Sequence, residues 1–143
     1  MPKTVLLVDD EQGYLEALAD ALEFQGYRVL KATNGSAALE ILSRESVDLI
    51  SVDIMMPPGP ALEGVTGSHS TGVYLCGEIR KVMPFVDLFC ISVVSEQSVI
   101  RKLEAINVRF LRKGETPLKT VLDMFNSRLT GVAYSPDRRG RKK

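Results

Sequence analysis

The chain has 143 residues, of which 45% are hydrophobic and 25% charged, with 18 basic side chains against 18 acidic ones. That length and composition suit one soluble globular domain and exclude a mostly disordered chain, a collagen-like repeat and a disulfide scaffold. The apolar run Val5–Val8 is too short to cross a membrane or to serve as a signal-peptide core, so a cytoplasmic protein without a membrane partner is expected.

In chain order, the run from Thr4 to Val8 is short, branched and apolar, and it ends abruptly in Asp9-Asp10. A run of this kind reads as a strand buried on both faces, the pattern of a parallel sheet. Leu15, Leu18, Ala19 and Leu22 follow at helical spacing, and Gly26 stops that helix. Residues 27–32 predict a second strand, and Asn34-Gly35-Ser36 a turn that caps a helix carrying Ala38, Leu39, Ile41 and Leu42. Residues 49–52 predict a third strand, ending in Asp53.

Residues 55–70 are rich in Pro, Gly and Ser, lack a period, and read as a long loop. A helix with Val73, Leu75, Cys76, Ile79 and Val82 comes next and ends before Pro84. Residues 88–93 predict a fourth strand, 95–106 a weaker helix and 108–111 a fifth strand that leads into Arg112-Lys113. Pro117 opens a last helix with Leu118, Val121, Leu122, Phe125 and Leu129 as its stripe. Cys76 and Cys90 lie in apolar stretches and are expected as buried thiols. Five strands alternating with five helices predict an α/β fold, a single doubly wound (βα)5 domain around a parallel sheet.

In open α/β sheets the functional site lies at the carboxyl ends of the strands. Asp9-Asp10, Asp53, Ser92 and Lys113 all fall at or just after such ends. Carboxylates crowded together repel, and a hard divalent cation with oxygen ligands, Mg²⁺, relieves that. Mg²⁺ also neutralises and orients a phosphoryl group, and a lysine ammonium adds a second point of positive charge. Phosphoryl transfer needs mainly positioning and charge stabilisation, and an aspartate is a competent nucleophile for it.

The ordered set Asp9-Asp10, Asp53-Ile54-Met55-Met56-Pro57, Ser92 and Phe110-Leu111-Arg112-Lys113 resembles the receiver domain of two-component response regulators, the CheY-like family. The resemblance implies a flavodoxin-like strand order 2-1-3-4-5 in a five-stranded parallel sheet. It implies Asp53 as phosphoacceptor and a Mg²⁺ site made by Asp9, Asp10, Asp53 and the backbone carbonyl of Met55. Lys113 would pair with the phosphoryl group, Ser92 would be the switch hydroxyl and Phe110 the switch aromatic. The phosphoryl group would come from a sensor histidine kinase, a histidine phosphotransfer protein or a small phosphodonor. The downstream protein target would read the surface made by the fourth helix, fifth strand and fifth helix, and a homodimer is a further option. On this reading the chain is a single-domain response regulator and not a conventional enzyme, its phosphoryl chemistry being confined to itself. The alternative is a receiver-like interaction scaffold that works without phosphorylation.

Other phosphate chemistries fit less well. An aspartyl-phosphate phosphatase of the haloacid-dehalogenase type wants Asp-x-Asp, and residues 53–55 are Asp-Ile-Met. No glycine-rich phosphate loop follows the first strand, where Asp9-Asp10-Glu11 would repel a nucleotide.

The chain departs from the family in three places. The pair Thr71-Gly72 stands about eleven residues later than its usual counterpart, an insertion at 58–70 in the loop after the third strand. It reads either as a tolerated surface insertion or as a lid over the site. Val93 follows Ser92 where a small residue is common, and Gly114 replaces a proline after Lys113. The receiver domain is expected over residues 1–129 and a flexible basic tail over 130–143. Residues 128–143 carry a net charge of +5 against −5 for the rest, but the tail has no room for a helix-turn-helix unit, which makes nucleic acid an improbable partner.

Overall fold

The computed structural model describes residues 2–67, 69–93 and 96–132. Five parallel strands, β1 (Thr4–Val8), β2 (Arg28–Ala32), β3 (Leu49–Val52), β4 (Asp87–Ser92) and β5 (Arg109–Arg112), form one sheet in the order β2-β1-β3-β4-β5. Helices α1 (Gln12–Phe24), α2 (Gly35–Arg44), α3 (Thr71–Val82), α4 (Gln97–Ala105) and α5 (Leu118–Thr130) connect and cover them. This is the doubly wound α/β architecture expected from the alternation of elements, in the flavodoxin-like strand order that the family resemblance implies.

Every residue of β1 and of β3 is buried, which explains why these strands read as continuous apolar runs rather than alternating ones. Successive side chains feed opposite cores. Leu6, Val8, Ile50, Val52 and Cys90 face α2, α3 and α4, where Ala38, Leu75, Cys76, Ile79 and Leu103 meet them. Val5, Leu7, Leu49, Phe89 and Ile91 face α1 and α5. There the Phe89 and Phe125 rings stack obliquely with centroids 4.8 Å apart. Both cysteines are buried and unbridged, and burial pushes the Cys76 thiol up to about 12.

The long loop after β3 is more ordered than its composition predicts. It contains one turn of 3-10 helix at Pro60–Leu62 and lies against the start of α2. The first N–H groups of a helix have no partner inside it. Here Gly35 N–H donates to the Pro57 carbonyl (3.1 Å), Ser36 N–H to the Pro58 carbonyl (2.8 Å) and Ala37 N–H to Asn34 Oδ1 (2.7 Å). The Ala61 N–H donates in return to Ser36 Oγ (3.1 Å), and Leu62 is buried. These bonds tie the first part of the loop to α2.

Several boundaries differ from the sequence reading by a residue or two, and three of them have a local cause. β4 ends at Ser92, and Val93 lies outside it, 68% exposed. β5 begins one residue late because Asn107 takes a positive φ of 64° and Val108 N–H donates to the Leu103 carbonyl (3.0 Å), so that N–H caps the end of α4. α5 runs to Thr130, one residue past the expected limit, and Gly131 ends it in the left-handed conformation. Ser95, expected to start the fourth helix, and 133–143 of the expected tail lie outside the described residues.

Candidate functional site

The register of the sheet builds the site. β1 and β3 pair with Val8 opposite Val52, so the residues that follow, Asp9 and Asp53, emerge side by side. Their backbones are pinned: Asp9 N–H donates to the Ala32 carbonyl (3.0 Å) and Asp53 N–H to the Val8 carbonyl (2.9 Å). On the other side, Ser92 closes β4 opposite Arg112, and Lys113 N–H donates to the Ser92 carbonyl (3.0 Å). Lys113 is thereby carried on the end of β5 towards the two aspartates.

The Lys113 ammonium lies 2.8 Å from Asp9 Oδ2, 3.2 Å from Asp53 Oδ2 and 3.1 Å from Glu11 Oε1. The Asp9, Asp53 and Lys113 side chains are each only 8% exposed, whereas Asp10 opens to solvent. Burial raises the Asp9 carboxyl to about 6 and the Asp53 charge adds to that. Hydrogen bonds from Lys113 and from Glu11 N–H (2.9 Å) pull the other way without cancelling it. Burial alone would lower Lys113, but the Asp9 hydrogen bond and the charges of Asp53 and Asp9 outweigh it and raise the ammonium. The pocket thus holds more negative charge than its single lysine relieves.

A divalent cation fits that imbalance. Asp9, Asp10 and Asp53 each offer a carboxylate oxygen, and these atoms lie within 4.8 Å of one another. An all-oxygen set with two buried carboxylates and one open to water suits a hard ion that keeps part of its hydration shell. Met55 follows Asp53 by two residues; its N–H donates weakly to Asp53 Oδ1 at 3.4 Å and its side chain is exposed.

The structure brings Asp9, Asp10, Asp53 and Lys113 together, and it places Ser92, fully buried, at the neighbouring strand end. Phe110 stands apart from the charged cluster. It is half-buried on the α2–α4 side of the sheet, with the Arg112 guanidinium 5.9 Å from its ring centre. Val93 lies at the mouth of a shallow cleft shared with Glu11, Tyr14 and Lys113. Gly114 adopts φ +89°, a conformation closed to proline, yet Lys113 still reaches Asp53. Gly72 N–H donates to the Ile54 carbonyl (2.9 Å), and a Cβ at position 72 would collide with the backbone of Asp53 and Ile54. Only glycine lets α3 approach the end of β3 so closely.

Two neighbours of Lys113 were not singled out as site residues from the sequence. Glu11 extends the acidic pair by one residue, and that continuity was the available signal. Tyr14 places its ring 4.9 Å below the Lys113 ammonium. Its only sequence signal was a ring bearing a polar group one turn into α1, next to the apolar stripe.

A profile of the response regulator receiver domain matches residues 5–122. The transcriptional regulatory protein GlrR of Escherichia coli K12 is 37% identical over 83 residues, 58% of this chain but 16% of GlrR. The response regulator MprA of Mycolicibacterium vanbaalenii is 38% identical over 72 residues, half of this chain and 31% of MprA. The chain therefore matches only a minor part of the length of these relatives. Among solved structures, a CheY-like response regulator receiver domain protein from Methanospirillum hungatei JF-1 superimposes with a TM-score of 0.78 at 20% identity, covering 92% of this chain and 96% of that one. The non-phosphorylated HemR receiver domain of Leptospira biflexa gives 0.71 at 23% identity, with 94% and 98% covered. With the profile spanning most of its length and the β2-β1-β3-β4-β5 sheet carrying an acidic cluster at its carboxyl edge, this chain belongs to the response regulator receiver domain family.

Proposed function

We propose that this receiver domain accepts a phosphoryl group on Asp53 from a phosphohistidine of a sensor kinase or histidine phosphotransfer protein in the cytoplasm, and signals by the change of shape that follows. The observation that carries this reading is Asp53 itself: a buried carboxylate within reach of both an acidic cation site and the Lys113 ammonium at 3.2 Å. The functional unit on this reading is residues 1–129, with 58–70 inserted beside the site and 130–143 as a basic tail.

In the transfer, a carboxylate oxygen of Asp53 forms a bond to phosphorus. The bond from phosphorus to the donor imidazole nitrogen breaks, and its electron pair stays on that nitrogen. Asp9, Asp10, Asp53 and the Met55 carbonyl would hold Mg²⁺, which when bound supplies charge neutralisation and orientation of the phosphoryl oxygens. Lys113 keeps its proton throughout and donates hydrogen bonds to the incoming group. Asp53 N–H stays on the Val8 carbonyl, so the nucleophile remains fixed while its partners exchange.

The Ser92 hydroxyl then turns to the phosphoryl group, β4's end follows it, and Phe110 moves inward. The Ser92 carbonyl already holds Lys113 N–H, which supports this coupling because the two strand ends move together. Moving such an equilibrium from 1:99 to 99:1 takes about 5.5 kcal/mol of differential stabilisation. Two or three charge-assisted hydrogen bonds at roughly 1.5–3 kcal/mol each are enough. The α4-β5-α5 surface then presents a changed shape to a downstream protein or to a second copy.

Intact-mass spectrometry after incubation with Mg²⁺ and acetyl phosphate tests the reading. One added phosphoryl group is expected in the wild type, and none in Asp53→Asn or with a chelator present. An addition that survives Asp53→Asn, or none under any condition, refutes it, the latter in favour of a scaffold.

A further inference from the structure

We infer that Glu11 and Tyr14 form a seat at the start of α1 that receives the Lys113 ammonium when a cation enters the acidic pocket, making both of them positioning residues. The inference rests on the cation site proposed above and extends it to two side chains outside that site.

An ammonium has three N–H bonds, and Lys113 meets three carboxylates, Asp9, Glu11 and Asp53. Asp9 and Asp53 are also two of the three carboxylates that would hold the metal. Lys113 and a divalent cation therefore draw on the same two carboxylates. A cation bound to those carboxylates weakens their hold on the ammonium and repels it, so Lys113 must keep some partner as it withdraws.

Glu11 and Tyr14 are the partners that remain. Glu11 is the residue before α1 and its side chain is 60% exposed, free of the metal cluster. Tyr14 lies one turn further on, on the same side of the helix. The face of its ring is 4.9 Å from the ammonium, within cation–π range. The Tyr14 hydroxyl is buried and has no hydrogen-bond partner among the described residues, so it is the ring face that meets Lys113. The Lys113 backbone is fixed by its bond to the Ser92 carbonyl, so the exchange needs only a side-chain swing.

The seat makes metal binding easier, because it lowers the cost of evicting Lys113 from Asp9 and Asp53. Calorimetric Mg²⁺ titration of the full chain tests this in wild type, Glu11→Gln, Tyr14→Phe and Tyr14→Leu, with Tyr14→Leu repeated beside Lys113→Met. Metal-free melting curves check that each variant is folded.

Glu11→Gln and Tyr14→Leu should each weaken Mg²⁺ binding by about threefold or more, while Tyr14→Phe, which keeps the ring, stays within about twofold. Once Lys113 is Met, Tyr14→Leu should change nothing. An unaltered affinity in Tyr14→Leu overturns the seat. So does a loss that persists without Lys113, which would mark Tyr14 as mere packing. Wild-type protein that binds no Mg²⁺ overturns the underlying cation site instead, and the seat with it.

Discussion

At the carboxyl edge of the sheet Lys113 faces three carboxylates; at the amino edge the hydrogen bonds of Arg80 go, among the described residues, to carbonyl oxygens. Arg80, in the last turn of α3, donates Nε–H to the Ile106 carbonyl (2.9 Å) and Nη2–H to that of Asn107 (2.9 Å). Its Nη1 reaches the carbonyls of Met83 (3.1 Å), Pro84 (3.2 Å) and Val86 (2.9 Å). One guanidinium thus ties the end of α3 to the entries of β4 and β5. The acceptors are neutral and fixed in the backbone, and no exchange of partner offers itself. At the opposite edge the acceptors are ionised side chains that a metal or a phosphoryl group can claim. The sheet is clamped at one end and poised at the other, which is where an inducible change of shape belongs.

Removing the clamp should have the largest effect. Arg80→Ala is expected to lower stability by about 2–4 kcal/mol, since several carbonyls lose a charge-assisted partner at once. Denaturant titration should show that loss undiminished by Mg²⁺.

Lys113→Met should behave in the opposite way. It leaves Asp9 and Asp53 without their cation and is expected to cost about 1–3 kcal/mol in metal-free protein, less than a wholly enclosed pair because the pocket opens to water. Mg²⁺ should restore most of that loss, an outcome that separates a replaceable cation from a structural one. Equal Mg²⁺ responses in the two variants would break the comparison between the two edges.

A smaller effect follows from Asp9. Its carboxyl titrates at about 6 in the folded protein against 3.8 ordinarily, so between these values the folded state holds more protons than the unfolded state. Stability from this group is therefore greatest below pH 4 and falls as pH rises to 6. After allowance for solvent screening, the fall is expected to be about 1 kcal/mol in metal-free protein. Thermal melts from pH 4 to 7 should show the fall vanish with saturating Mg²⁺. Affinity for Mg²⁺ should in turn drop by up to about tenfold per pH unit below 6, because each ion bound displaces one proton.

The charged edge was legible in the sequence and the clamped edge was not, for a physical reason. Asp9 and Asp53 end buried strands that are apolar but for the hydroxyls of Thr4 and Ser51, and Ser92 is the one polar residue in the run 88–93; an ionised group at such a strand end has no bland explanation. Lys113 stands just past the shorter strand that carries Phe110-Leu111. Arg80 sits in the last turn of an amphipathic helix, where a basic residue is ordinary, and its carbonyl partners lie in loops whose approach only the folded chain determines. Val93 was assigned to the fourth strand because valine favours strands, yet the ladder ends at Ser92. The turn at Pro60–Leu62 was hidden for a similar reason: the Ala61 N–H fastens it to Ser36 of α2, and no local period announces a contact with another element. Tyr14 lies in α1, and its relation to Lys113 exists only across the pocket.

The way the loop after β3 meets α2 carries a consequence for dynamics. The amide protons of Gly35 and Ser36 have acceptors in that loop, on Pro57 and Pro58, and not in their own helix. They can exchange with solvent only when the loop lifts or the helix end frays, whereas amides deeper in α2 report on the helix alone. The native chain therefore carries a pair of built-in exchange reporters, and the contrast between these two protons and their helical neighbours measures how often the loop opens, without any label attached to it.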